Sequence, residues 1–159
     1  KRVATERGFK IEVCHTQSDI ADQKAADDSV IECFRQLAVK VDAIYVTVQG
    51  GVNDQTTPDL VRIANQSRIP TFSQYGEQEV RHGFLLSLSP SGSDSLGRFY
   101  AQTVAKVLNG ATPGELNQVF EESKSIVVNI KTAEIIGFYI YAELLAAADK
   151  IYRTIEVPE

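Results

Sequence analysis

The sequence predicts an α/β fold, a parallel sheet flanked by helices, on three observations. Apolar runs of strand length alternate with segments of helical period along the chain, the pattern of a parallel sheet covered by helices. The run Ala43–Val48, AIYVTV, is apolar nearly throughout, as expected of a strand covered on both faces. The 159 residues, 43% hydrophobic and 23% charged, suit one ordinary soluble domain with enough chain to bury a core.

In order, KIEVC (Lys10–Cys14) reads as the first strand. A long helix follows, capped near Ser18 or Asp28, with Val30, Phe34, Leu37 and Val41 spaced by three or four on one face. After Ala43–Val48, the loop QGGVNDQTTPDL delivers the chain to a helix. Thr57 suits its N-cap, and Pro58 its first position, where a missing N–H costs nothing. Leu60, Val61, Ile63 and Ala64 form its buried stripe. Ile69–Ser73 is the next strand, with Pro70 near its start, where a ladder donor is dispensable.

A turn of helix over Glu77–Arg81 leads to the strand Gly83–Ser89, and a helix over Ser95–Leu108 ends at Asn109-Gly110. The apolar run Ile126–Ile130 meets Asn129, and a short helix stops at Gly137. A final amphipathic helix is expected over Ala142–Tyr152. There is no internal repeat and no low-complexity tract.

The totals exclude several classes. No apolar run approaches the ~20 residues that span a bilayer. A net charge of −5 argues against nucleic acid, whose binders carry a basic face. The chain has no Met and opens on KRVATERGFK, which looks like the middle of a helix. It is read as a fragment or processed chain, so a missing targeting signal says nothing about location. Cys14 and Cys33 fit neither a metal site nor a redox CxxC. Buried free thiols are the simpler reading, a disulfide the alternative.

In open parallel sheets, ligands bind beyond the carboxyl ends of the strands. The loops there are His15–Ser18, Gln49–Asp54, Gln74–Glu77 and Pro90–Asp94. They offer amides, hydroxyls, Tyr75 and the backbone N–H groups at Gly50 and Gly51, an inventory for binding a small polar ligand rather than for catalysis. Gly50-Gly51 belongs to neither GxGxxG nor GxxxxGK[ST], and its ordinary reading is a turn needing positive φ. No GxSxG elbow supplies a nucleophile for His15 or His82, which read as loop or capping residues. Asp27-Asp28 reads as a helix start and Glu121-Glu122 as a solvated patch, not as paired acids. Tyr75 suits either stacking on a ligand or covering its own sheet edge.

Four blocks carry a resemblance: VDAIYVTVQGGV, RIPTFSQYGEQEVRHGFLLSLS, GRFYAQTVAKVLNGATPGELNQVF and SIVVNIKTAEIIGF. In order and spacing they resemble the ABC-transporter substrate-binding proteins, the branch that includes aromatic amino-acid binders. The likeness runs over essentially the whole chain, most specifically in KVLNGATPGELN and VVNIKTAEIIG. It implies one Rossmann-like lobe of a type I periplasmic-binding-protein-like fold, with no enzyme activity and neither cofactor nor metal.

The resemblance further implies residues 1–82 as the second ligand-binding lobe of a two-lobed protein. Residues 83–124 would be a crossover packing on the first lobe, and 125–159 the return strand and C-terminal helices. A small polar or aromatic solute would meet Gln49, Gly50, Gly51, Asn53, Gln74 and Tyr75, and an ABC permease would receive it. The location would be periplasmic, or extracellular and lipid-anchored. With no first lobe present, Leu96, Phe99, Tyr100, Val104, Val107 and Leu108 form an apolar stripe suited to a homodimer. The chain departs from the family in two places. Gln49 stands where many relatives carry an acid suited to a ligand ammonium, and YIYAELL replaces the prolines common after the GF motif. A ligand-sensing input domain of a signalling protein is the alternative use of such a fold.

Overall fold

A computed structural model of the chain describes residues 2–18, 20–90, 93–120 and 124–158, without the side chains of 90 and 93–95. Its strands are Ile44–Val46 (β1), Thr71–Ser73 (β2), Leu86–Pro90 (β3), Lys124–Asn129 (β4) and Lys150–Tyr152 (β5). They form one sheet in chain order. β1 pairs parallel with β2, β2 with β3, and β4 with β5, while β3 and β4 run antiparallel. The helices are Arg2–Arg7 (α1), Gln23–Leu37 (α2), Thr57–Gln66 (α3), Glu77–Arg81 (α4), Ser93–Leu108 (α5), Ile130–Ile136 (α6) and Ala142–Ala147 (α7). The protein is thus α/β, a sheet flanked by helices. Ser91, Gly92 and the pair Glu121-Glu122 lie outside the described residues.

The pleat and the strand registers put Ile44, Val46, Thr71, Ser73, Ser87, Val127 and Asn129 on one face, all buried. Against it pack Val30 and Phe34 of α2, Leu60, Val61 and Ile63 of α3, and Val80 and Phe84 around α4. Fully burying one such side chain is worth ~1.5–3 kcal/mol. The opposite face is thinner. Phe72 and Leu86 are half-buried, and Tyr45 is 60% exposed. β1 is therefore covered on one face only, not on both as its composition suggested.

Local chemistry departs from expectation in four places. The α2 cap is Asp22, whose carboxylate accepts from the Ala25 N–H at 3.0 Å, rather than Ser18 or Asp28. α3 begins one residue earlier than predicted, with Thr56 at the cap. The Thr56 hydroxyl donates to the Gly51 carbonyl at 2.7 Å instead of bonding its own helix. Lys10–Cys14 is not a strand, because among the described residues its backbone makes no hydrogen bond to a neighbouring strand; its far end is tied to α2 instead. Cys14 is disulfide-bonded to Cys33, Cα to Cα 5.6 Å, and the Gln17 N–H donates to the Ser29 hydroxyl at 3.0 Å. The two cysteines are thus paired, not free; their Cα separation lies well within disulfide reach.

The fourth departure is the C-terminus. The helix expected over Ala142–Tyr152 ends at Ala147, and Lys150–Tyr152 joins the sheet as β5. A non-local bond pair decides it: the Asp149 N–H donates to the Ile126 carbonyl at 2.9 Å, and the Asp149 carboxylate accepts from the Ile126 N–H at 2.8 Å. The tail then returns beneath α4. Arg81 pairs with Glu156 at 2.6 Å, and His82 Nδ1 sits 2.8 Å from the Glu156 carbonyl.

The strand–helix unit β4–α6 closes the sheet through Asn129. Its side-chain oxygen accepts from the Thr132 N–H at 3.1 Å, capping α6, and its amide donates to the carbonyls of Val80 at 2.8 Å and Thr154 at 3.0 Å. Gly137, at φ 72°, supplies the left-handed residue that ends α6.

Candidate functional site

Parallel strands run the same way, so the segments after β1 and β2 emerge at one edge of the sheet. Gln49, Gly50, Gly51 and Asn53 lie in the first, and Gln74 and Tyr75 in the second. The two segments are bonded to each other. The Gln49 N–H donates to the Tyr75 hydroxyl at 2.7 Å, and that hydroxyl donates in turn to the Gln49 carbonyl. Tyr75 is half-buried and packs against the main core. Its ring is a strut between the loops, with its hydroxyl already committed.

The loop after β1 is fastened to α2 as well. Asn53 donates to the Asp27 carboxylate at 2.8 Å, while its side-chain oxygen accepts from the N–H groups of Gln55 at 2.9 Å and Thr56 at 3.1 Å. Gln23 donates to the Gly50 carbonyl at 2.9 Å. Neither Gly50 nor Gly51 has positive φ, contrary to the ordinary reading of the pair. The reason for glycine is close approach. A Cβ on Gly51 would sit 2.6 Å from the Ala26 carbonyl oxygen, and one on Gly50 2.7 Å from that of Ser18.

The segment Thr16–Ser18 thus abuts the same edge, and the Thr16 hydroxyl donates to the Gln49 side-chain oxygen. On the other flank, a Cβ on Gly76 would lie 3.1 Å from the Ser89 hydroxyl, so the end of β3 adjoins the loop after β2. Three of the four loops named from the sequence therefore meet at one edge; the fourth lies partly outside the described residues. Gln74 is exposed, and its N–H donates to the Val46 carbonyl at 3.1 Å; among the described residues its side-chain amide has no hydrogen-bond partner.

The acids at the far ends of the loops are engaged elsewhere. Glu77 accepts from Lys150 and Tyr152 of β5, and the Lys150 bond above all holds its carboxyl below the usual range. The Asp54 carboxylate accepts from the Gln78 amide at 3.3 Å. The loops themselves present amides, hydroxyls and backbone N–H groups, and Asp27 of α2 beside them is taken up by Gln23 and Asn53. Among the described residues, no cluster of His, Cys, Asp or Glu could hold a metal. Nor is any helix long and apolar enough to cross a membrane.

Sequence reasoning missed Asp27 and Thr16 as anchors of this edge. Asp27 follows Gln23 by one helical turn, and the Gln23 amide donates to it at 2.7 Å; that spacing was a readable signal. The pairing of Thr16 with Gln49 is non-local and left none.

Comparison with known proteins gives a family and a fold. A family model described as ABC transporter substrate binding protein matches residues 20–152. A conserved domain protein from Vibrio cholerae is similar at 26% identity and TM-score 0.68, over 93% of this chain and 46% of that one. An ABC domain in complex with L-Trp from Streptococcus pneumoniae is similar at 22% identity and TM-score 0.70, over 95% and 48%. A ligand-free, open substrate-binding protein with adhesive properties from Clostridium difficile follows at 20% identity and TM-score 0.70, over 96% and 48%. The chain thus spans about half the length of these solved structures. None of the curated proteins matches it significantly.

Proposed function

Because the chain belongs to the ABC transporter substrate-binding protein family, a family of binding proteins rather than enzymes, we propose that it forms one wall of an extracytoplasmic solute site. The observation that carries this reading is the family match over residues 20–152, joined to the gathering of uncharged polar loops at one sheet edge. The solute is a small molecule with a neutral or anionic polar head and an apolar or aromatic part, handed on to an ABC permease. Gln49 and Gln74 address it with their amides and Gly50 and Gly51 with backbone N–H groups, while Tyr75 and Asn53 hold the loops in place. Residues 1–82 make the second ligand-binding lobe, 83–124 the crossover onto the first lobe, and 125–159 the return.

The location we assign is periplasmic, or extracellular with a lipid anchor. The Cys14–Cys33 disulfide fits it, since such bonds persist in oxidising compartments. In the 159-residue chain alone, the face of α5 carrying Leu96, Phe99, Tyr100, Val104, Val107 and Leu108 would be covered by a second copy. Support for this is exposure, with Leu108 81% accessible.

The test is calorimetry on the full-length protein, comparing aromatic amino acids with their deaminated analogues. An ammonium properly partnered is worth ~1.5–3 kcal/mol, tenfold or more in affinity, and the acid beside this edge, Asp27, is already engaged by Gln23 and Asn53. The wild type is expected to bind the deaminated form at least as well, and Gln49→Asp to shift preference toward the amino acid. A strong wild-type preference for the amino acid, unmoved by Gln49→Asp, would overturn the assignment of Gln49 to the solute.

A further inference from the structure

The loop that carries Gln74 and Tyr75 ends in α4, and both ends of α4 are fastened to residues 150–156. At its first turn, one oxygen of the Glu77 carboxylate accepts from the Lys150 amine and from the Tyr152 hydroxyl. At its last turn, Arg81 pairs with Glu156 at 2.6 Å, the Arg81 carbonyl accepts from the Glu156 N–H at 3.1 Å, and His82 Nδ1 lies 2.8 Å from the Glu156 carbonyl. α4 has five residues, and its cap, Gly76, makes no side-chain bond to it. A helix that short does not hold itself together in water. Its place is set by what grips it.

The sheet topology brings β5 to the same edge. β4 and β5 run against β1, β2 and β3, so β5 begins where β1 and β2 end. The registers put Lys150 level with Val127, Ser87 and Ser73, the last residue of β2. Three strand spacings, ~14 Å, lie between Lys150 and Ser73, a gap that the Glu77 side chain bridges from α4. Tyr152 is the firm end of the tie. It is half-buried against the main core, and the Lys150 amine lies 5.2 Å from its ring centre.

The stability this tie contributes is small, because the Glu77 and Lys150 side chains are each half exposed and water weakens such pairs. Position is another matter. The Gln74 side chain is exposed and has no hydrogen-bond partner among the described residues, so its amide goes where its backbone goes. On one side that backbone is fixed by β2 and by the Tyr75 hydroxyl on Gln49. On the other it enters α4 through Gly76, at φ 129°, where no side chain restrains it. We propose that Glu77, Lys150 and Tyr152 are positioning residues for the solute site: β5 holds Glu77, Glu77 holds the α4 end of loop 74–76, and the loop so held presents Gln74. This rests on the solute reading for what Gln74 meets, and on the tie alone for how it is held.

The experiment has two arms. Amide hydrogen exchange in the 159-residue chain reads the loop directly. Lys150→Ala, and Tyr152→Phe, which keeps the ring in the core, should each speed exchange at Gln74 and Tyr75 by about threefold, with α3 and α6 unchanged. Lys150→Arg keeps a cation and should restore the wild-type rates. Lys131→Ala breaks a comparably exposed pair with Glu134 on α6 and should leave the loop as it is. In the second arm, calorimetry of 3-phenylpropionate on the full-length protein should show affinity about threefold weaker in Lys150→Ala. Lys150→Arg should restore it, and the melting temperature of Lys150→Ala should be no lower than that of Lys131→Ala. Equal exchange at Gln74 and Tyr75 in wild type and Lys150→Ala overturns the proposal. So does faster exchange spread over α3 and α6, which would make the tie a support of the whole fold. A loosened loop with unchanged affinity overturns it too, since Gln74 would then be held to no purpose. A wild type that binds neither 3-phenylpropionate nor phenylalanine overturns the solute reading instead, and the exchange arm then decides the tie.

Discussion

Every polar atom of the Asn129 side chain is bonded inside the protein, and the residue is fully buried. Asn129→Leu keeps the volume but leaves the buried Thr132 N–H without its acceptor and takes a donor from the Thr154 carbonyl, while the Val80 carbonyl keeps the Gly83 N–H at 3.1 Å. Urea unfolding should show a loss of about 1–3 kcal/mol, the cost of one orphaned buried group. Asn129→Asp keeps the cap yet turns an acceptor toward two carbonyls. It should be at least as damaging at neutral pH, with part of the loss regained on acidification, when the protonated acid can donate. Glu79, 9% exposed, carries a buried carboxylate oxygen without a partner, and burial raises its pKa above the ordinary carboxylate value. The folded state therefore binds that proton more tightly than the unfolded chain. The stability from Glu79 is full below the unfolded pKa and is lost as pH rises through the folded one. Glu79→Gln should stabilise the protein at neutral pH, with the gap from wild type narrowing as the solution is acidified. Glu77 works oppositely: with its pKa lowered by Lys150 and then Tyr152, its contribution is present above the unfolded value and fades as pH falls through the folded one. A gap for Glu79→Gln that is flat across pH would show that Glu79 is ionised in the folded protein just as it is in the unfolded chain.

At the scale of elements, the disulfide and the close approach of loop to helix are the features most open to test. Cys14 and Cys33 are separated by 19 positions, and closing a loop of that size stabilises by ~3 kcal/mol on chain entropy. Reduction, or Cys33→Ser, should lower the melting temperature, and the unreduced chain should resist alkylation at both thiols. Gly51→Ala drives a methyl into the Ala26 carbonyl, a backbone atom that cannot turn aside. A destabilisation of ~1–3 kcal/mol is expected, together with weaker solute binding, because Gln49 and Asn53 sit in the displaced loop. The same elements explain what the sequence made legible. α3, α4, α6 and the parallel pair β1–β2 were readable, since Pro58, Asn129 and Gly137 punctuate helices and AIYVTV has few other uses. Lys10–Cys14 and Lys150–Tyr152 were misread for one shared reason. Whether a short apolar run joins a sheet depends on what lies beside it: Lys10–Cys14 makes no backbone bond to β1, whereas Asp149 on Ile126 brings Lys150–Tyr152 alongside β4. That the loops after β1 and β2 meet at one sheet edge was legible from their place beyond strand ends. That the Tyr75 hydroxyl is taken by the Gln49 backbone was not, because it is a matter of geometry between strands.

At the scale of the whole molecule, α5 stands out. Tyr100, Val104 and Leu108 are exposed, and the described aromatic contacts of Phe99 are with Tyr100 and Phe120. Several hundred Å² of apolar surface at ~25 cal/mol per Å² amounts to several kcal/mol of drive toward association. Sedimentation of the 159-residue chain should therefore show a concentration-dependent dimer, and Val104→Lys with Leu108→Lys should abolish it. A monomer at high concentration would remove the second copy from the reading of α5. The one antiparallel pairing in the sheet has a further consequence, in time rather than in space. β1, β2 and β3 follow one another through short helical connections, whereas β3 and β4 pair only after the long stretch from Pro90 to Lys124 has been brought round. Closing a longer loop forfeits more chain freedom before any contact rewards it, so the β1–β3 half should assemble early and β4, with Asn129, should arrive after the rate-limiting barrier. Damage at Asn129 would then leave the refolding rate nearly untouched and hasten unfolding instead, a signature that stopped-flow traces on Asn129→Leu would either display or refuse.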